Sequence, residues 1–185
     1  MDIDFMAYAG DCRIAGRLEL NRARLTDMLN AQPTLRLRDV LLESLDDGRL
    51  LELADMELQR DELFAIEAVG PRGTAEKRVR TRPHRMQLSL GPYIVMGHLH
   101  TMPGADPLNS MLRRMPMVPL TSATIGYSVA GQTVMRDVET LVVNRTLADW
   151  ISPTSREHTF FPNIPIITPA PGEFFAKDLT GPLST

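Results

Sequence analysis

Apolar and polar residues alternate along most of this chain. Ile14, Gly16, Leu18 and Leu20 recur at period two, with Arg13, Arg17 and Glu19 between them. That is the pattern of a strand with one buried face, and it predicts an outward polar face carrying the three charges. The same alternation predicts strands over 3–9, 12–20, 34–45, 50–58 and 63–66, with Asp46-Asp47-Gly48 as a hairpin turn. A second series follows at 86–90, 93–100, 118–129, 133–143 and 147–151. Two segments break the alternation. Leu25, Met28 and Leu29 have i, i+3, i+4 spacing, which predicts a short helix ending near Asn30; Leu108 to Leu112 predicts another. Helices this short do not persist alone, so each is expected to plug an open end of the sheet.

The two series run in one register. At an offset of 81, Gly10 falls on Gly91, Ile14 on Val95, Gly16 on Gly97 and Leu18 on Leu99. After two extra residues in the second turn the offset becomes 83. Leu25 then meets Leu108, Met28 meets Met111, Pro33 meets Pro116, Leu37 meets Leu120, Gly48 meets Gly131 and Leu58 meets Leu141. Glycine matching glycine carries the most weight, because glycine marks a turn or a close backbone approach. The expectation is an internal duplication. It makes an all-β protein of two tandem SH3/Sm-like half-open β-barrels, over 1–69 and 84–151, each with a short helical turn. A basic linker, 70–83, joins them. The segment 50–58 would also suit a helix; the strand reading leans on its β-branched counterpart.

Residues 152–185 have no counterpart in either copy. They hold six of the 14 prolines, which oppose helix and central strand. They also hold four of the six phenylalanines, Phe160, Phe161, Phe174 and Phe175, which disordered tails generally lack. The expectation is an extended arm that lies on a barrel or reaches a protein partner or a second copy.

Composition adds a few bounds. With 185 residues, 43% hydrophobic and 23% charged, the chain suits one or two globular domains. No run of about 18 apolar residues offers a membrane span, and the acidic N-terminus does not read as a secretory leader. Cys12 is the one cysteine, which fits a reducing compartment, and a cytoplasmic protein is expected. The net charge of −3 is unevenly spread. Residues 1–69 carry 8 basic against 15 acidic side chains, and residues 70–100 carry 6 against 1. The basic stretch can attract an anion or pair with acidic protein surface.

Candidate chemistry is sparse. His98 and His100 lie two apart on a strand and so share a face, as a metal-binding pair can; their counterparts Arg17 and Glu19 point instead to a plain polar face. Arg78, Arg80, Arg82 and Arg85 make a basic run suited to a nucleotide or RNA, although only 5% of the chain is aromatic and no stacking platform adjoins it. No phosphate loop, nucleophile elbow, zinc-protease motif or Cys-x-x-Cys occurs, so neither an enzyme nor a cofactor is expected. The eleven methionines, clustered at Met111, Met115 and Met117, suit an adaptable core.

The spacing Arg78-x-x-x-Arg82 is similar to the first signature of PilZ domains, β-barrels that bind cyclic di-GMP. The resemblance implies that these two arginines grip phosphate and guanine; the second PilZ signature is missing. More broadly, Gly-x-Leu with Arg-Leu-x-Asp-x-Leu-Asn in the first half, and Val-Pro-Leu-Thr with Val-Asn-Arg in the second, resembles bacterial proteins of uncharacterised function across 5–151. That likeness brings no activity and no site residues. A scaffold or regulatory protein acting through protein–protein contacts is the leading expectation, with a nucleotide or RNA sensor as the alternative.

Overall fold

In a computed structural model, described over residues 1–22, 24–68 and 80–154, the chain is mostly β-strand. Arg78 and the four arm phenylalanines lie outside the described residues. The strands are β1 Asp2–Tyr8, β2 Cys12–Glu19, β3 Thr34–Ser44, β4 Leu50–Gln59 and β5 Ala65–Glu67, then β6 Arg82–Leu90, β7 Tyr93–Thr101, β8 Met117–Val129, β9 Gln132–Asn144 and β10 Trp150–Pro153. Helix α1, Leu25–Ala31, follows β2, and α2, Pro107–Leu112, follows β7. Short 3-10 turns at Arg60–Glu62 and Arg145–Leu147 precede β5 and β10.

All ten strands form one antiparallel sheet in the order β10-β6-β7-β8-β9-β5-β1-β2-β3-β4. It does not close, and where two tandem half-open barrels were expected the strands run as one continuous open sheet. Within the order, the five strands of each half take the same arrangement: fifth, first, second, third, fourth. The halves meet where β5 pairs with β1 on one side and with β9 on the other. Its three residues are buried on both sides.

Local details recur between the halves. Phe5 faces Gly16 and Met86 faces Gly97 in the ladders of β1–β2 and β6–β7. The next ladder slips between Ala15 and Arg17 in one half and between Met96 and His98 in the other, a bulge at each glycine. The two residues that face each glycine lie on β3 and β8, and one of each two takes a positive φ: Asp39 at 50° and Ser122 at 46°. There is little room at either glycine. A Cβ on Gly16 would sit 3.1 Å from the Arg38 carbonyl oxygen, and one on Gly97 2.9 Å from the Leu120 Cβ.

Past the hairpins the register corrects the sequence alignment. Arg38 pairs with Asp55, while Thr121 pairs with Thr140. The offset of 83 therefore holds on β3 and β8 but becomes 85 on β4 and β9, because the second hairpin is two residues longer. Leu58 corresponds to Val143, not Leu141, and Gln59 to Asn144.

Two hydrophobic clusters fill the molecule. One, around Phe5, Ile14, Leu18, Met28, Leu29, Leu35 and Leu37, lies in the first half. The other, around Leu88, Val95, Leu99, Met111, Leu120 and Ile125, lies in the second and also takes in Met6, Tyr8, Ala15 and Ala65 from the first. Both faces of β1 are thus used: Ile3, Phe5 and Ala7 serve the first core, Met6 and Tyr8 the second. Each helix supplies a lid as its spacing predicts, Leu25, Met28 and Leu29 from α1 and Met111 from α2. Helix α2 is capped by Asp106, whose carboxylate accepts from the Asn109 N–H at 2.7 Å, with Pro107 entering the first turn.

Candidate protein-interaction surface

The seam between the halves shows what this sheet does with an edge when a partner is present. Strand β5 lays Ala65, Ile66 and Glu67 opposite Val143, Val142 and Leu141. Asn144 N–H donates to the Phe64 carbonyl at 2.8 Å, and Ala68 N–H to the Thr140 carbonyl at 2.9 Å. Side chains reinforce this backbone ladder. The Glu67 carboxylate takes the Arg136 Nε at 2.7 Å and Nη2 at 3.2 Å, and the Tyr8 hydroxyl at 2.7 Å. Arg13 is 6% exposed. It pairs with Glu43, donates to the Tyr127 hydroxyl at 2.6 Å and lies 5.2 Å from that ring's centre. The sequence pattern assigned Arg13 to an outward polar face; that face is covered by the second half, and its charge is met by Glu43.

All three tyrosines gather here. Their ring centres lie 5.4 to 5.8 Å apart, in the edge-to-face and tilted arrangements aromatic quadrupoles prefer, and Phe64 adds a contact to Tyr93 at 5.9 Å. The Tyr93 hydroxyl donates to the Ala9 carbonyl at 2.6 Å. Burial pushes the pKa of each phenol above its ordinary value, reinforced at Tyr8 by the Glu67 charge and opposed at Tyr127 by Arg13. On the other side of the seam the Asn30 amide acts as a strand end. It donates to the Met117 carbonyl at 2.9 Å and accepts from the Met117 N–H at 3.1 Å, tying α1 to β8.

The two outer edges of the sheet, β4 and β10, hold the same positions without a further strand beside them among the described residues. Leu50, Leu51 and Leu53 on β4 are 48%, 55% and 37% exposed, and Trp150 on β10 is 44% exposed. Leu51 pairs with Leu42 and Leu53 with Val40, so these two extend the apolar face of the first core beyond its last strand. The signal was present in the sequence as the run Leu50-Leu51-x-Leu53, but alternation cannot tell an edge from an interior strand.

The predicted ligand residues are only partly brought together. Arg80 is exposed just before β6, and Arg82 is exposed at its start. Arg82 faces Thr101, while half-buried Arg85 faces His98 and reaches the Met96 sulfur at 4.0 Å. Three residues apart on a strand, Arg82 and Arg85 lie on opposite faces. His98 and His100 share a face. The His100 ring nitrogens contact the Thr81 hydroxyl at 3.2 Å and the Thr121 hydroxyl at 2.8 Å. Among the described residues no three His, Cys, Asp or Glu side chains are grouped to hold a metal ion.

An open cleft of about 810 Å³, missed in the sequence, lies beside α1 and the ends of β1 to β4. Its three bases are each met by an acid, and Glu19 adds one more negative charge: Arg38 grips Asp2 through two bonds of 2.8 and 2.9 Å, Arg36 lies 3.7 Å from Asp55, and Arg17 lies 4.0 Å from Asp39. Such a mouth has no net preference for an anion. Cys12 is half-buried, and burial together with Asp11 pushes its thiol up to about 11, so at neutral pH it is a protonated, poor nucleophile. No described helix is long and apolar enough to cross a membrane. No protein-family model matches the chain, and neither a curated protein nor a solved structure matches it.

Proposed function

We propose that this protein is a non-enzymatic scaffold or regulatory protein that works through protein–protein contacts at its sheet edges. The observation that carries the reading is the pairing of exposed apolar side chains, Leu50, Leu51, Leu53 and Trp150, with strand edges that have no neighbouring strand among the described residues. Exposed edges template further strands unless they are blunted. A partner strand laid there gains a hydrogen-bond ladder and side-chain pockets together. In this reading one five-stranded, half-open SH3/Sm-like module was doubled. The matched bulges, the matched positive φ at Asp39 and Ser122, and the common strand order support that origin. The arm 152–185, with Phe160, Phe161, Phe174 and Phe175, is a further contact element, and the setting is cytoplasmic.

Truncation of the full chain before Ser155 tests the arm's part. Sedimentation of the truncated protein should give a lower assembly mass than the full chain, or melting should show a destabilised fold. An unchanged mass with an unchanged melting temperature would remove the arm from the proposal.

An anion-binding role for Arg78, Arg80, Arg82 and Arg85 has less behind it, because β6 divides Arg82 and Arg85 between its faces. It would gain support from a thermal shift with cyclic dinucleotides or oligonucleotides that Arg78→Ala with Arg82→Ala abolishes.

A further inference from the structure

Resting on the protein-contact reading, we infer that the partner at these edges is a second copy of this chain, joined β10 to β4 in the register that β5 and β9 use inside the molecule. The internal seam is a heterologous joint: the fifth strand of one half meets the fourth strand of the other. A chain with two such halves uses one joint internally and, among the described residues, keeps one fifth strand, β10, and one fourth strand, β4, unspent. They lie at opposite ends of the open sheet, so they cannot satisfy each other within one molecule. They can do so between molecules.

The ladders fix the register. Ala65 faces Tyr8 as Trp150 faces Ser89, and Ile66 faces Ala7 as Ile151 faces Leu88. Val143 faces Val118 as Leu58 faces Leu35. Since Ala65 meets Val143 and Ile66 meets Val142, Trp150 of one copy meets Leu58 of the next, and Ile151 meets Glu57.

The side chains at these positions suit the joint. Trp150 replaces small Ala65 on the face that looks into the neighbour, where Leu51, Leu53 and half-buried Met56 wait. The Glu67–Arg136 ion pair of the internal seam is replaced by the uncharged Ser152 and Leu51, while Glu57 takes the place of Val142 opposite Ile151 and keeps the joint weaker than the internal one. Charge favours the same partners: β4 carries Glu52, Asp55 and Glu57 and no base, whereas β6, beside β10, carries Arg82 and Arg85 and no acid. Pro153 stands where Ala68 donates to Thr140, and having no N–H it ends the new ladder at Ser152. The joint is therefore shorter than its internal model and reversible. Being heterologous, it closes into a ring or runs on as a chain rather than stopping at a two-fold dimer.

The test uses the full chain. Sedimentation across a hundredfold concentration range should show mass rising above 20.7 kDa, and Trp150→Ala or Leu51→Lys with Leu53→Lys should return it to that value with the fold intact by circular dichroism. Mixing a Glu57→Cys protein with an Ile151→Cys protein under mild oxidation should give a disulfide between molecules; Glu57→Cys mixed with Ser128→Cys should not. Mass that rises but ignores Trp150→Ala and gives no 57–151 bond overturns this joint while leaving self-contact elsewhere in force. A mass fixed at 20.7 kDa throughout overturns it outright.

Discussion

Strands β5 and β10 hold the same place in their halves and meet different surroundings. Where β5 has Phe64, Ala65 and Glu67, β10 has Asp149, Trp150 and Ser152. Where β5 is flanked by Tyr8 and Arg13, β10 has Ser89 and Ile94 at the corresponding sites. The first set builds a buried seam with a matched ion pair, in which Tyr8 meets the other two phenols edge-to-face or tilted. The second leaves an edge that is exposed and carries one aromatic anchor, Trp150. One backbone plan thus gives a fixed joint or an optional one, and the difference lies in these five side chains.

The comparison breaks most visibly at Glu67. Glu67→Ala leaves Arg136 buried and unpaired and takes the acceptor from Tyr8, and chemical denaturation should register a loss of about 3–5 kcal/mol. The counterpart change, Ser152→Ala, should stay within about 0.5 kcal/mol. Phe64→Ala should cost about 2–3 kcal/mol, less than a fully buried phenylalanine. At its counterpart, exposed Asp149 accepts from the Gly91 N–H at 3.0 Å, and Asp149→Ala should cost about 1 kcal/mol.

A smaller contrast separates the two bulge glycines. In Gly97→Ala the new Cβ presses on the β-carbons of Leu120 and Ala123, at 2.9 and 3.1 Å; in Gly16→Ala its nearest neighbour is the Arg38 carbonyl oxygen at 3.1 Å. Overpacking costs about 1–3 kcal/mol, and Gly97→Ala should be the more damaging by urea denaturation.

The seam also sets an alkaline limit. Each phenol is harder to ionise folded than unfolded. Its contribution is intact below about pH 10 and is lost as pH rises past that value. Tyrosinate absorbance should therefore appear together with unfolding. A reversible titration near pH 10, with the fold intact, would place the phenols in water.

Much of the architecture was legible in the chain. Period-two alternation found the strands, i, i+3, i+4 spacing found both helices, and Asp47-Gly48 marked the first hairpin. Gly16 and Gly97 identified matching bulges because only a missing side chain tolerates so close a neighbour. The seam was not legible. Arg13 reads as solvent-facing because a buried, paired arginine and an exposed one occupy the same phase of a strand. The second partner of β5 leaves no trace in a three-residue strand, and two additional hairpin residues shifted the alignment of β9 unnoticed. A usable signal lay in the disagreements between the halves: Tyr8 against Ser89, Arg13 against Ile94 and Phe64 against Asp149 mark where one half is covered and the other is not.

Native-state hydrogen exchange, followed at the amides of Ile66 and Val142 and at their counterparts Ile151 and Glu57, reads the fixed and the optional joint in one sample. In dilute protein the first pair should exchange only through global unfolding and the second pair freely, with protection of Ile151 and Glu57 rising together as concentration increases. Ile66 exchanging as fast as Ile151 in dilute solution, or protection at Ile151 and Glu57 that never changes with concentration, would contradict a joint built once within the chain and again between chains.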